Sequence, residues 1–409
     1  MSQSTGKLFI CCIIFLQFFT AGYCQTISPD SQYIIISAGQ QYATSERHQQ
    51  KWGEHYRKEW NEPVRIKIAM LDTLGGGVTP YQAGGGRQSK TLRLRNANNR
   101  EYVLRSIDKS FGKALPEIAQ GTFVETIIDD QASIAHPYAA LTIPSMAKAA
   151  GIFHTQPVIV YIPKQKRLGE YNDEYGDKLY LFEQRPDENW DEADNFGNSK
   201  KIIGTEKLLE KLLEDNEKKV DQAAYVRARL FDMMIGDWGR HEDQWRWAET
   251  QKNGRTIYQP IPRDRDQVYT MFDGSRTGFL LSVAGLDHLQ SFDHTIKDVT
   301  IYNFPSRNLD RLMTNEMTQE QWMAIAKDLQ QRISDHVITD AIKKMPPEVF
   351  PLSGQEIVDK IRSRRDQLHE YARSYYLFLA KAVDIPGSDK KELFDIEQKD
   401  DHVSLTIYK

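Results

Sequence analysis

Residues 235–245 read IGDWGRHEDQW, and this stretch decides how the whole chain is interpreted. It follows a segment of helical periodicity and gathers charged side chains of both signs into one turn. A second acidic stretch, RDRD at residues 263–266, lies downstream. Between the two, Trp245–Ala248 and Arg255–Gln259 flank the turn residues Lys252–Gly254, which predicts a β-hairpin. Such a hairpin brings both carboxylate clusters to one end, where oxygen ligands can share a divalent cation.

These segments resemble the catalytic and metal-binding loops of the protein-kinase-like superfamily. The similarity is strongest to its atypical branch, which includes lipid kinases, HipA-like kinases and secreted Fam20-like kinases. In that branch the catalytic loop reads roughly Gly-Asn-x-Asp-Arg-His-x-x-Asn, and a metal-binding Asp follows a hairpin. Residues 236–241, GDWGRH, fall on the first part of this pattern. The resemblance implies a two-lobed fold that binds a nucleotide and a metal ion.

The resemblance also implies a role for each residue of these loops. Gln244 falls on the metal-binding Asn, and Asp264 or Asp266 falls on the metal-binding Asp. Together they would hold Mg²⁺ or Mn²⁺ against the phosphates of ATP or another purine nucleotide. Arg240 and His241 would brace the catalytic loop.

The similarity extends upstream to about residue 84, with less specific motifs. Glycine clusters precede a predicted hairpin formed by Thr91–Leu94 and Glu101–Ile107. By resemblance, the second glycine cluster, residues 84–86, covers the nucleotide phosphates. The strand that follows the hairpin turn presents a phosphate-binding cation. Residues 179–183 lead into the hinge that holds adenine. The cofactor-binding residues implied in this way are Gly84, Gly85, Gly86, Arg105, Lys109 and Glu183, with Glu125 as the candidate for the helix glutamate.

One position departs from the family pattern. The superfamily has an Asp directly before the Arg-His pair, where it orients the attacking hydroxyl and accepts its proton. This chain has Gly239 there, and glycine has no side chain that can act as a base. Asp237 and Asp243 are the nearby carboxylates, and Asp237 is the candidate that positions the acceptor hydroxyl.

The first 24 residues have the order of an export signal peptide. Lys7 precedes the apolar run Leu8–Phe19, which is shorter than the roughly 20 residues of a bilayer span. Small residues then lead to Cys24. Two processing routes stay open: cleavage after Cys24, and cleavage before it with lipidation of this cysteine. Tyr23 disfavours lipidation, because the residue before a lipidated cysteine is normally small.

Export predicts a periplasmic or outer-membrane-associated protein. The same tract also resembles an uncharacterised family of exported bacterial proteins, sometimes joined to a phosphoesterase module or an outer-membrane barrel. This resemblance implies an outer-membrane or envelope protein as partner. All three cysteines lie at or before the predicted cut, so the mature chain is expected to fold without disulfides.

Length and composition indicate a folded globular protein of two lobes. The chain has 409 residues, of which 40% are hydrophobic and 27% charged, and it exceeds what one core usually serves. A net charge of -4 and a pI near 6.2 exclude nucleic acid as the expected partner. The predicted fold class is α+β: signal peptide 1–24, N-terminal extension 25–62, β-rich N-lobe 63–190, and mainly helical C-lobe 191–409.

Helix signals fill the second half of the chain. A helix from about Asp221 to Met234 is expected to end at Gly236, and Thr205 is the expected N-cap of the helix before it. Two capping boxes open later helices. Their residue pairs are Thr318 with Gln321 and Ser353 with Glu356.

Four interpretations of the acidic and basic loops stay open. The first is a kinase that transfers the γ-phosphate of ATP to a hydroxyl of a protein, lipid or sugar. The second is a pseudokinase that works as an envelope binding or assembly module, which Gly239 and the scarcity of ATP outside the cytoplasm favour. The third is a metallophosphoesterase, although the early Asp-x-His motif of that fold is missing. The fourth is a purely structural turn whose charges pair with each other.

Overall fold

The computed structural model describes residues 32–85, 89–108, 129–283, 285–400 and 403–408. The predicted signal peptide and three residues of the predicted site, Gly86, Lys109 and Glu125, lie outside these ranges. Within them, no helix is both long enough and apolar enough to cross a bilayer.

Within the described ranges, the strands form four sheets. The largest is an antiparallel sheet of five strands in the order β3-β4-β5-β7-β6, and a four-stranded sheet has the order β8-β10-β11-β9. Two antiparallel pairs, β1-β2 and β12-β13, make up the rest of the described sheets. The strands are β1 (Tyr33–Ile36), β2 (Val64–Lys67), β3 (Val78–Gly84), β4 (Thr91–Asn96), β5 (Glu101–Ser106), β6 (Val158–Ile162), β7 (Lys178–Gln184), β8 (Ile202–Gly204), β9 (Lys218–Val220), β10 (Trp245–Lys252), β11 (Arg255–Pro262), β12 (Leu393–Gln398) and β13 (Val403–Tyr408).

Most of the helices follow the large sheet in the chain. Those before residue 180 are short, and the longer ones lie between residues 205 and 379. The α-helices are α1 (Glu46–Trp52), α2 (Arg57–Asn61), α3 (Ile143–Ala150), α4 (Asn172–Tyr175), α5 (Thr205–Glu214), α6 (Gln222–Ile235), α7 (Ser275–Val283), α8 (Val299–Tyr302), α9 (Arg307–Met313), α10 (Gln319–Arg332), α11 (Asp335–Ile342), α12 (Gln355–Asp366) and α13 (Leu368–Leu379).

The predicted hairpin of β4 and β5 is confirmed. Leu94 pairs with Tyr102 across the two strands, and Oδ1 of Asn96 accepts backbone hydrogen bonds from Asn98 and Arg100 in the turn. Side chains alternate along each strand. One face of the hairpin is therefore leucine-rich and fully buried, and the other carries arginines.

Helix α6 runs through the core of the helical lobe. Asp221 caps its N-terminus by accepting the backbone N–H of Ala224, and the helix ends at Gly236, as predicted. Gly236 has φ +75°, and a Cβ there would lie 2.5 Å from a ring carbon of Phe292. Only glycine fits this close approach without strain.

The second predicted hairpin is also confirmed. Strands β10 and β11 pair from Trp245 opposite Pro262 to Lys252 opposite Arg255. Trp245 is fully buried in the helical lobe. This hairpin therefore places the residues before β10 and after β11 side by side.

Two capping predictions were wrong. Thr205 is the first residue of α5 and not its cap. Its hydroxyl donates to the backbone oxygen of Glu242 and receives the indole N–H of Trp247, so it ties the helix to the hairpin instead. Ser353 lies inside a π-helical turn that runs directly into α12, which leaves no free N-terminus to cap. The capping box at Thr318 is confirmed.

The five-stranded antiparallel sheet followed by mainly helical chain confirms the predicted α+β class and is compatible with the predicted two-lobed kinase-like fold. The segment before β2 belongs to the same compact unit, because Tyr42, Tyr56 and Trp60 pack into the main core. The predicted boundaries between extension, N-lobe and C-lobe stay predictions.

Candidate functional site

The arginine-bearing face of the five-stranded sheet and the β10–β11 hairpin enclose a cleft of about 560 Å³. The loop after α6 and the segment after β11 complete its wall. Alternation along β4 and β5 directs Arg93 and Arg105 into this space, away from the leucine-rich face. The predicted site residues that line the cleft are Gly85, Arg105, Glu183, His241, Gln244, Asp264 and Asp266.

Arg105 joins the sheet side of the cleft to the loop side. Its Nη2 lies 3.1 Å from Oε1 of Glu183 on the neighbouring strand β7, and its Nη1 lies 2.9 Å from Oδ1 of Asp264. Glu183 is fixed in turn by the hydroxyl of Thr155 at 2.9 Å. Burial acts to lower the pKa of Arg105, but Asp264 and Glu183 outweigh it and raise the pKa well above the usual value. The guanidinium is therefore a permanent cation held towards Asp264.

Asp264 has an unusual backbone. Its φ is +58°, a left-handed conformation that costs a non-glycine residue of order 1 kcal/mol and that clusters at functional sites. Its Oδ2 accepts a hydrogen bond from Nε2 of Gln244 at 3.3 Å. The backbone N–H of Arg263 donates to the carbonyl of Gln244 at 2.9 Å, which extends the hairpin pairing by one residue. The hairpin thus places two of the three predicted metal ligands in contact.

The donor set of the cleft suits a divalent cation that binds together with phosphates. Asp264 and Asp266 offer two carboxylates. Gln244 turns its Nε2 to Asp264, and its Oε1 accepts from Arg240 at 3.3 Å, so its amide would have to turn to offer an oxygen to a cation. Mg²⁺ is commonly held by one or two carboxylates plus substrate phosphates and waters. In the part of the chain that the structure describes, no group of three or more His, Cys, Asp or Glu side chains is placed to hold a metal ion. A divalent cation at these carboxylates would therefore need further oxygen ligands from a bound phosphate chain or from water.

Asp237 and Arg240 lie in a buried ionic cluster behind the cleft wall. Asp237 pairs with Arg240 and, at 3.1 Å, with Arg265. Asp232 of α6 receives Arg265 at 2.5 Å and Arg240 at 3.3 Å. Asp237 is only 1% exposed, and burial raises its pKa. Arg240 also donates to the carbonyl of Arg263 at 2.6 Å, so it braces the loop. The role predicted for Asp237 in positioning an acceptor hydroxyl gains no support from this placement.

Gly239, where the resemblance in sequence predicts a base, lies on the cleft surface. Its φ is not positive, and a Cβ added there would meet only Cγ of Gln267 at 3.7 Å, an ordinary van der Waals distance. Neither backbone conformation nor packing requires glycine. A larger residue would therefore fit at this position, and glycine leaves the cleft without a side-chain functional group there.

The remaining predicted residues occupy the edges of the site. Gly84 ends β3, and Gly85 follows it with φ +87°, where a Cβ would lie 2.0 Å from the carbonyl oxygen of Ser89. Gly85 is thus required by the turn. His241 is exposed at the cleft, and its Nε2 lies 3.4 Å from Nε2 of Gln244.

Sequence reasoning missed four further arginines of the cleft. Arg93 lies on β4, Arg185 follows β7, and Arg246 and Arg263 lie on the hairpin. The alternation of arginines in the β4–β5 hairpin and the register of β10 against β11 were usable signals, since both place these side chains on one face. Burial, with Arg246 and Arg105 nearby, lowers the pKa of Arg263 to about 9.

The chain was compared with protein-family models, curated proteins and solved structures. No protein-family model and no curated protein matches the chain. Among solved structures, the chain is similar to the proinflammatory kinase CtkA of Helicobacter pylori, with 14% identity and a TM-score of 0.34. The match covers 71% of this chain and 95% of that chain. Such a low score carries no argument, so the fold class rests on the sheets and helices themselves.

Proposed function

We propose that this kinase-like domain binds a purine nucleotide, with ATP as the first candidate, together with Mg²⁺ or Mn²⁺ in the cleft. The observation that carries the proposal is the ion pair of Arg105 with Asp264, which also contacts Gln244. A permanent cation and a carboxylate from opposite walls of one cleft are what a nucleotide phosphate chain with its metal ion requires.

The residues on the two sides of the cleft have different roles in this proposal. Arg105 binds a phosphate oxygen through charge-assisted hydrogen bonds while Glu183 holds the guanidinium in place. Asp264, Asp266 and Gln244 would hold the cation, and a cation there would supply positive charge against the phosphates. The purine is assigned to the end of β7, where Gln184 and the two residues after it line the cleft.

Catalytically inactive binding is the second candidate function, and Gly239 favours it. The position that would hold the base has no side chain, and the nearby carboxylate of Asp237 is buried in ion pairs. A pseudokinase with this cleft would serve as a binding or assembly module. Its location in the periplasm or at the outer membrane, with an envelope protein as partner, is part of this proposal and rests on residues 1–24. No specific observation favours the metallophosphoesterase interpretation.

A thermal-shift titration tests the nucleotide site. ATP at 100 times its dissociation constant stabilises the folded state by about 2.7 kcal/mol, so the melting temperature of a chain of this length should rise by about 3 °C when Mn²⁺ is present. Asp264→Ala should abolish this shift, because it removes a metal ligand and the partner of Arg105. Glu242→Ala, an exposed carboxylate outside the cleft, should keep it. If the melting temperature stays unchanged with every nucleotide, with and without metal, the proposal is wrong.

Arg105 offers a separate test of phosphate binding. Arg105→Met should weaken ATP binding about 10-fold, since a hydrogen bond to a charged group contributes about 1.5 kcal/mol. Arg105→Lys should retain more of the affinity because it keeps the charge. Fluorescence titration with a labelled ATP analogue measures both variants, and their melting temperatures without ligand show whether the fold is intact. If the wild type and the folded Met variant bind ATP with equal affinity, Arg105 does not bind the nucleotide phosphates.

A further inference from the structure

Three arginines of the cleft have no carboxylate partner among the described residues, unlike Arg105. Arg93 donates to the neutral side chain of Gln82 at 2.7 Å, and Arg246 donates to backbone carbonyls. Within the described ranges, no ion pair is found for Arg93, Arg246 or Arg263. Arg185, by contrast, is neutralised by Glu101 and by Asp187 on the same side of the cleft.

The hairpin register places two of these arginines next to each other. Gln244 lies opposite Arg263, and Arg246 lies opposite Ile261. Since alternate residues share a face, Arg246 and Arg263 are diagonal neighbours that point to the same side of the hairpin. Arg93 reaches the same cleft from the sheet that faces them. Like charges placed this close repel each other unless an anion lies between them.

Two of the guanidinium groups also have unused donors. Nε of Arg246 and Nη1 of Arg263 are buried, and neither has a hydrogen-bond partner among the described residues. A buried donor without a partner is costly, and native structures rarely keep one unless a ligand or water satisfies it. Guanidinium groups bind phosphate by paired, charge-assisted hydrogen bonds. The unused donors therefore indicate an anionic ligand with several acceptor oxygens.

We infer that Arg93, Arg246 and Arg263 form a second phosphate position in the cleft, which takes a small phosphate monoester beside the nucleotide. This inference rests on the proposed function, because it assigns Arg105 and Asp264 to the phosphate chain of the nucleotide. The molecule that shares the cleft with the nucleotide is then itself phosphorylated. A neutral acceptor such as an unmodified sugar would leave the three arginines without a counterion.

The test uses inorganic phosphate as the probe. It is titrated into the mature protein saturated with ADP and Mg²⁺, and into the protein without nucleotide, and ³¹P line broadening reports binding. Saturable binding is expected in the wild type. The double variant Arg246→Gln, Arg263→Gln should weaken it at least about 10-fold, since two charge-assisted contacts are lost. The variant Arg93→Gln, which lies on the facing sheet, should weaken it independently.

The matched control is Arg95→Gln. Arg95 lies on the same strand as Arg93 but is exposed and does not line the cleft, so phosphate binding should stay within about twofold. Phosphate binding that is unchanged in the double variant, or absent from the wild type, overturns the inference. If the double variant still binds ADP, the nucleotide site does not depend on the second phosphate position. If ADP never binds but phosphate still depends on the three arginines, the nucleotide proposal fails and the anion position remains.

Discussion

Gly239→Asp is expected to raise the rate of ATP hydrolysis by about 10²-fold or more, because a positioned general base contributes roughly 10²- to 10⁴-fold. The new side chain fits, since a Cβ at Gly239 meets only Cγ of Gln267 at 3.7 Å. Its carboxylate would enter the cleft directly before Arg240 and His241, where the kinase-like pattern has its base. Release of inorganic phosphate from ATP in the presence of Mn²⁺ measures the effect.

Gly239→Asn is the control for this gain. It has the same size and hydrogen-bonding reach as the Asp variant but cannot accept a proton at neutral pH. Its hydrolysis rate should remain that of the wild type. Equal rates for the Asp and Asn variants, when both bind ATP, would contradict the account of the missing base. A high rate in the wild type would contradict the pseudokinase interpretation directly.

Asp232→Asn is expected to destabilise the protein by about 3–5 kcal/mol, the usual cost of breaking a buried charge network by removing one partner. Asp232 is 0% exposed, and its two oxygens receive Arg229 at 2.9 Å, Arg265 at 2.5 Å and Arg240 at 3.3 Å. The Asn side chain keeps the shape but leaves three guanidinium groups without this charge. Urea unfolding followed by circular dichroism measures the loss.

The matched control is Asp328→Asn. Asp328 also pairs with two arginines, Arg227 and Arg332, but its side chain is 35% exposed. Exposed ion pairs contribute about 0–1 kcal/mol, so its unfolding midpoint should change little. Similar losses for Asp232→Asn and Asp328→Asn would show that the buried cluster is not what holds the loop after α6.

The same cluster predicts sensitivity to acid. Burial acts to raise the pKa of Asp232, but Arg265, Arg240 and Arg229 outweigh it and hold the pKa below its usual value. Its contribution to stability is therefore complete above the pKa of an unfolded Asp, about 4, and is lost as pH falls further.

Local signals in the sequence were sufficient for the elements around the site. The turn at Lys252–Gly254 fixes the β10–β11 register, and that register brings Gln244 beside Asp264. The capped helix that ends at Gly236 was equally readable, because its cap, apolar series and terminal glycine agree. These contacts depend on neighbours that are close in the chain.

Contacts between distant segments were not predictable in this way. Arg105 meets Glu183 because β5 pairs with β7, a pairing that the sequence does not encode locally. The burial of Asp237 depends on the turn at Gly236 and on Arg265 from another segment. Alternation and hairpin register place these arginines on one face of each hairpin, but charged residues on strands are usually solvated. Only the long-range packing of the two hairpins shows that both faces line one cleft.

The most direct test of the central claim is a calorimetric titration of the protein with ATP, performed once with Mn²⁺ and once with a chelator. One bound ATP per chain with Mn²⁺, and affinity at least about 10-fold weaker with the chelator, is the result that the Arg105 and Asp264 site predicts. Absence of binding in both titrations, from a protein that melts cooperatively, would contradict the nucleotide site and leave the cleft as an anion site alone.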